Sequence, residues 1–127
     1  MTLRCVIVDD SPAVLRAATE LLDDQGVAVV GVAETGEEAI RLMRELKPDV
    51  MLVDIALGSE SGFDLARRLA HIRDGATSRI ILISTHSEAD FADRIAASPA
   101  IGFLPKSDLS AEAIRRLVER AGDEGRY

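Results

Sequence analysis

The chain has 127 residues, 47% of them hydrophobic and 29% charged, with a net charge of −7 and one cysteine. That composition suits one soluble globular domain with a real core and excludes a disordered chain. The acid excess argues against direct binding to nucleic acid or anionic membrane, and the lone Cys5 excludes an internal disulfide or a cysteine-based zinc site. No apolar run approaches the roughly 18 residues of a membrane helix. An apolar strand begins almost directly after Met1 and leaves no room for a signal peptide, so a cytoplasmic location is expected.

Leu3 to Val8 reads as a buried strand ending in Asp9-Asp10, with Cys5 as packing inside it. Ser11-Pro12 opens a helix with a capping hydroxyl and a first-turn proline; Val14, Leu15, Ala18, Leu21 and Leu22 form its apolar stripe, and Gly26 closes it. Val27 to Ala33 is a second strand, weakened by Gly31 and therefore placed at an edge. Thr35-Gly36-Glu37-Glu38 has the form of a capping box, and its helix carries Ala39, Ile40, Met43 and Leu46 inward as far as Lys47-Pro48.

Asp49 to Asp54 is the stretch that organises the rest, an unbroken apolar run halted by a carboxylate. Such a run, without alternation, suits a strand covered on both faces. A loop over 58–62 leads into a helix with Phe63, Ala66, Leu69 and Ile72 inward. Arg79 to Ser84 is a fourth strand, and Ser87 is placed as the cap of a helix whose apolar face, Phe91 and Ile95, is thin. Ile101 to Leu104 is a short fifth strand before Pro105-Lys106, and the last helix carries Ile114, Leu117, Val118 and Ala121 on one side.

Five alternations of strand and helix predict an α/β fold, a single-domain, flavodoxin-like (βα)5 doubly wound sheet of five parallel strands. The most apolar strands, first and third, belong at the centre, which with right-handed crossovers gives the order 2-1-3-4-5. Ligands in such sheets bind at the carboxyl ends of the strands where the winding reverses, here between strands 1 and 3.

Four of the five strands end in a reactive group: Asp9-Asp10, Asp54, Ser84 and Lys106. Three carboxylates at one point repel one another, a cost tolerated mostly where a cation binds. Oxygen donors without His or Cys select a hard ion such as Mg²⁺. A carboxylate held there can attack a phosphoryl group, and Lys106 and the Ser84 hydroxyl can meet the phosphoryl oxygens. Singly, each has an ordinary explanation: Asp9-Asp10 a turn or cap, Ser84 a strand-end hydroxyl. His71 has no partner at ligand spacing and reads as a surface residue.

On Asp9-Asp10, Val53-Asp54, Gly62-Phe63, Ile83-Ser84 and Phe103-Leu104-Pro105-Lys106, the chain resembles the CheY-like receiver domains of two-component response regulators over nearly its whole length. The intervals of 44, 30 and 22 residues between Asp10, Asp54, Ser84 and Lys106 fit the same family. The resemblance implies a receiver domain over 1–122 and a polar tail over 123–127. It implies Asp54 as phosphoacceptor, with Mg²⁺ held by Asp9, Asp10, Asp54 and the backbone carbonyl of Ala56. Ser84 and Phe103 take the places of the switch hydroxyl and switch aromatic, and Lys106 that of the phosphate-sensing lysine. The implied partners are a sensor histidine kinase or phosphotransfer protein, then an output domain beyond residue 127 or a separate effector, with a phosphorylation-dependent homodimer left open. Its only catalysis would be its own phosphorylation and dephosphorylation.

Gly58 stands where the family usually has proline, which predicts a looser loop; Ser98-Pro99 replaces a Gly-Ala pair, and Ser107 replaces a proline after the lysine. Without that proline, a cis bond after Lys106 is not expected. Ala56 and His86 occupy the positions that tune phosphoryl lifetime in the family. A haloacid-dehalogenase-type phosphatase would need an acid where Ala56 stands, and a nucleotide binder would need a glycine-rich loop where Asp9-Asp10-Ser11-Pro12 stands. The remaining alternative is a pseudo-receiver, a protein-interaction module that does not use phosphate.

Overall fold

The computed structural model describes residues 2–72 and 78–124. Five strands, β1 (Arg4–Val8), β2 (Ala28–Ala33), β3 (Val50–Asp54), β4 (Arg79–Ser84) and β5 (Gly102–Pro105), alternate with α1 (Pro12–Asp24), α2 (Gly36–Leu46), α3 (Gly62–Ala70), α4 (Ala92–Ala96) and α5 (Ala111–Glu124). Within this five-stranded sheet all neighbours are parallel, in the order β2-β1-β3-β4-β5, the expected doubly wound arrangement. Of the tail expected over 123–127, residues 125–127 lie outside the described residues.

Side chains alternate between the two faces of the sheet, as the two-residue period of a strand requires. Val6, Val8, Met51, Val53, Ile80, Leu82 and Phe103 join residues of α2 and α3 in one buried cluster. Cys5, Ile7, Val50, Leu52, Ile81 and Ile83 join residues of α1 and α5 in the other. Burial pushes the Cys5 thiol up to about 12, so it is packing and not a nucleophile.

Register carries the chain ends to one place. Val8 pairs with Val53, so Asp9 and Asp54 leave the sheet side by side. Asp54 pairs with Ile83 and Ser84 with Pro105, so Ser84 and Lys106 follow one step further along the same edge.

Hydroxyl caps open four helices: Ser11, Thr35, Ser61 and Ser110 accept from the backbone N–H groups of Val14, Glu38, Asp64 and Ala113. Gly26, at φ 86, closes α1, and Lys47 takes a left-handed turn (φ 47) before Pro48. Three expectations need correction. Leu21 is 38% exposed, because Leu15, Ala18 and Leu22 already fill the inward side of α1 and Leu21 lies about 100° round from Leu22. Ser87 makes no cap hydrogen bond; its hydroxyl donates to Asp90 Oδ2, and a 3-10 turn, Glu88–Phe91, precedes a five-residue α4. The loop after Asp54 is not open: Ala56–Leu57 and Glu60–Ser61 pair antiparallel across Gly58, whose φ of 60 proline cannot adopt. No cis peptide occurs among the described residues.

Candidate functional site

Asp9 is fully buried at the end of β1, with Oδ1 accepting the Ser11 N–H at 2.9 Å. Lys106 reaches in from the end of β5, and its Nζ lies 2.7 Å from Asp9 Oδ2 and 3.1 Å from Asp54 Oδ2. The contact to Asp9 is close in distance but poorly aligned, which leaves Asp9 Oδ2 buried with no hydrogen-bond partner among the described residues. Asp54 is also buried, and its other oxygen accepts the Ala56 N–H at 3.1 Å. Asp10 is exposed beside them, and oxygens of Asp9, Asp10 and Asp54 lie within 4.8 Å of one another.

The charges set each other's titration. Burial raises the Asp54 pKa, the Ala56 N–H and Lys106 oppose that, and the nearby Asp9 charge adds to it; the net shift is upward. Burial works against the Lys106 ammonium, but its close contacts with the Asp9 and Asp54 carboxylates outweigh that and raise its pKa. A buried, unaligned carboxylate oxygen within a set of oxygen donors fits a hard divalent ion such as Mg²⁺.

Ser84 is buried at the end of β4, and its Oγ accepts the His86 N–H at 2.9 Å. His86 itself is exposed and sets its ring edge-on to Phe91, with centroids 5.9 Å apart. Phe103 is buried in the cluster shared with Leu82 and Phe63, on the sheet face that α2 and α3 cover. His71 lies away from this edge, exposed at the end of α3.

Three contributors are not evident from strand ends alone. Gly62 donates its N–H to Ile55 O at 2.9 Å, and a Cβ there would run into the Asp54 carbonyl. Glu60 accepts the Gly36 N–H, tying the loop after Asp54 to α2. Arg94 sits over the Phe63 ring, 4.3 Å from its centroid. Gly62-Phe63 is visible as a motif, but the two contacts between distant segments have no local signature.

A doubly wound sheet with acids and a lysine converging at its winding reversal defines a flavodoxin-like receiver fold. Residues 5–119 match the family model of the response regulator receiver domain, and the chain belongs to that family. It is 32% identical over 116 residues to the response regulator GacA of Pseudomonas viridiflava, covering 91% of this chain and 53% of that protein. It is 34% identical to a protein-glutamate methylesterase/protein-glutamine glutaminase of Idiomarina loihiensis, covering 94% of this chain and 32% of that one. A two-component response regulator of the LuxR family from Aurantimonas sp. SI85-9A1 superposes with a TM-score of 0.78 at 34% identity, over 91% of this chain and 81% of that one. The chain spans about half the length of the first curated relatives it matches. No helix among the described residues is long and apolar enough to cross a membrane.

Proposed function

We propose that Asp54 accepts a phosphoryl group from a histidine kinase, a phosphotransfer protein or a small phosphodonor, in a Mg²⁺-dependent reaction. The observation that carries this reading is the Lys106 ammonium poised between Asp9 and Asp54, with Asp9 Oδ2 left unaligned inside a three-carboxylate cluster. A carboxylate oxygen of Asp54 attacks phosphorus; the bond from phosphorus to the donor's nitrogen or oxygen breaks, and its electron pair leaves with the donor. When bound, Mg²⁺ supplies positive charge to the phosphoryl oxygens, and Asp9, Asp10, Asp54 and the Ala56 carbonyl would hold it. Ala56 N–H fixes the rotation of the Asp54 carboxylate before attack. Lys106 exchanges its contact with Asp54 for one with the new phosphoryl group, and Ser84 Oγ donates to it. Phe103 responds on the face made by α4, β5 and α5, where an output domain, a separate effector or a second copy would read the change.

With a net charge of −7, the domain itself is not the nucleic-acid contact. The functional unit is taken as residues 1–122. Incubation with acetyl phosphate and Mg²⁺ should add one phosphoryl group by intact mass, and Asp54→Asn should abolish the addition. Undiminished labelling in that variant removes Asp54 from the role. A parent that neither labels nor gains stability from Mg²⁺ would instead be a phosphate-independent interaction module.

A further inference from the structure

We infer that Glu60 is a positioning residue whose carboxylate, seated on the N-terminus of α2, braces the Ala56–Ser61 hairpin and so holds Ala56 against Asp54. The inference rests on the reading of Asp54 as phosphoacceptor and of Ala56 as a metal-facing residue. Glu60 Oε2 accepts the Gly36 N–H at 3.1 Å, bridging segments 24 residues apart. That N–H is one of the donors a helix leaves unsatisfied at its start, and the helix dipole favours an anion there. The contact forms although Glu37 and Glu38 already load the same turn with negative charge. Gly36 is buried, and a Cβ on it would come too close to Glu60 Oε1, so the carboxylate would have to move aside. The Glu60 carboxylate thus sits where residue 36 has no side chain.

The brace reaches the site through two rungs. Glu60 pairs with Leu57 and Ser61 with Ala56 across the hairpin, and the Ala56 N–H holds Asp54 Oδ1. Leu57 is buried and pins the near strand, whereas the turn residue Gly58 has no side chain to anchor it. The Glu60 side chain makes no other hydrogen bond among the described residues, so its bond to Gly36 is what ties the far strand to α2. Partners of this kind, behind the atoms that meet a metal, alter metal affinity when removed.

The test uses the full chain and three variants, with Mg²⁺ affinity by calorimetry and amide exchange of residues 56–62 without Mg²⁺. Glu60→Ala should weaken Mg²⁺ binding on the order of tenfold, the low end for residues behind a metal site, and speed hairpin exchange. Glu60→Gln keeps an acceptor oxygen and should bring affinity back to within about threefold of the parent. Gly36→Ala should expel the carboxylate and reproduce Glu60→Ala. Added to Glu60→Ala it should change nothing further, since the next atom it meets is a Leu65 methyl at 3.4 Å. Parent-like affinity and exchange in Glu60→Ala, or an additive loss in the double variant, overturns the brace. Should Glu60→Ala fail to fold, Glu60→Gln and Gly36→Ala alone decide the matter by the same two readouts. Absence of Mg²⁺ binding and labelling in the parent would strike the Asp54 reading, while hairpin exchange would still decide the brace.

Discussion

Asp54 is held between burial, which disfavours its charge, and Lys106, which favours it, and burial prevails. A carboxyl whose folded pKa lies above its ordinary value of 3.8 contributes stability that is present below 3.8 and lost as pH rises through the folded value. Asp54→Asn should therefore match the parent in acid and become the more stable protein as pH rises through that window, without Mg²⁺. Urea unfolding of both proteins from acid to neutral pH measures the gap, and a gap that narrows with rising pH would contradict the upward shift. Gly62 sits under a harder constraint, since the atom its Cβ would strike is backbone and cannot swing away. Gly62→Ala should cost more than ~2 kcal/mol in unfolding free energy and slow labelling of Asp54, because the carbonyl it displaces belongs to that residue. A variant as stable as the parent would show that the loop can yield.

Among the described residues, the segment from Glu88 to Ala96 is loosely anchored, with no buried residue in either its 3-10 turn or α4. Its best-defined hold is a chain of rings and charge: His86 on Phe91, Phe91 6.1 Å from Phe63, and Arg94 over Phe63. A cation over an aromatic face at a partly exposed site contributes about 0.5–1 kcal/mol. Arg94→Ala should thus speed amide exchange across this segment by roughly two- to fivefold, leaving exchange in β1 and β3 unchanged. Equal rates in the two proteins would mean that the half-buried Phe91 and Ile95 suffice. The same element marks where sequence patterning stops being informative. Buried strands such as Val50–Asp54 advertise themselves by unbroken apolar runs, and Ser11, Thr35 and Ser61 by cap chemistry that needs only neighbours in the chain. Ser87 has the same chemistry but precedes a 3-10 turn, where its hydroxyl finds Asp90 instead. Leu21 falls outside the buried stripe because a stripe counted at three- and four-residue steps is wider than the face α1 presents to the sheet. Arg94 on Phe63 and Glu60 on Gly36 are products of tertiary folding between distant segments.

Across the whole molecule, the edge that gathers Asp9, Asp54, Ser84 and Lys106 was legible because register follows from parallel pairing of adjacent strands. What a phosphoryl group at Asp54 does beyond that edge depends on contacts only the structure supplies. Ser84 Oγ already accepts the His86 N–H, and a hydroxyl with an accepted bond still has its hydrogen to donate. A phosphoryl oxygen can therefore recruit Ser84 while the bond to His86 persists, so that a shift of Ser84 draws His86 with it. His86 stands edge-on to Phe91, within the loosely held segment, and Ser84 shares by strand alternation the sheet face of Leu82, which pairs with Phe103. On the proposed reading of Asp54, these contacts are the route by which a phosphoryl charge would reach residues 84–105. Beryllofluoride with Mg²⁺ should change amide exchange over the Glu88–Ala96 segment and β5, and Ser84→Ala should suppress that change while leaving protection near Asp54 intact. Changes confined to residues 54–62 in the parent would show that the signal stops at the site. An undiminished distant response in Ser84→Ala would place its origin in Lys106 and the turn that follows it.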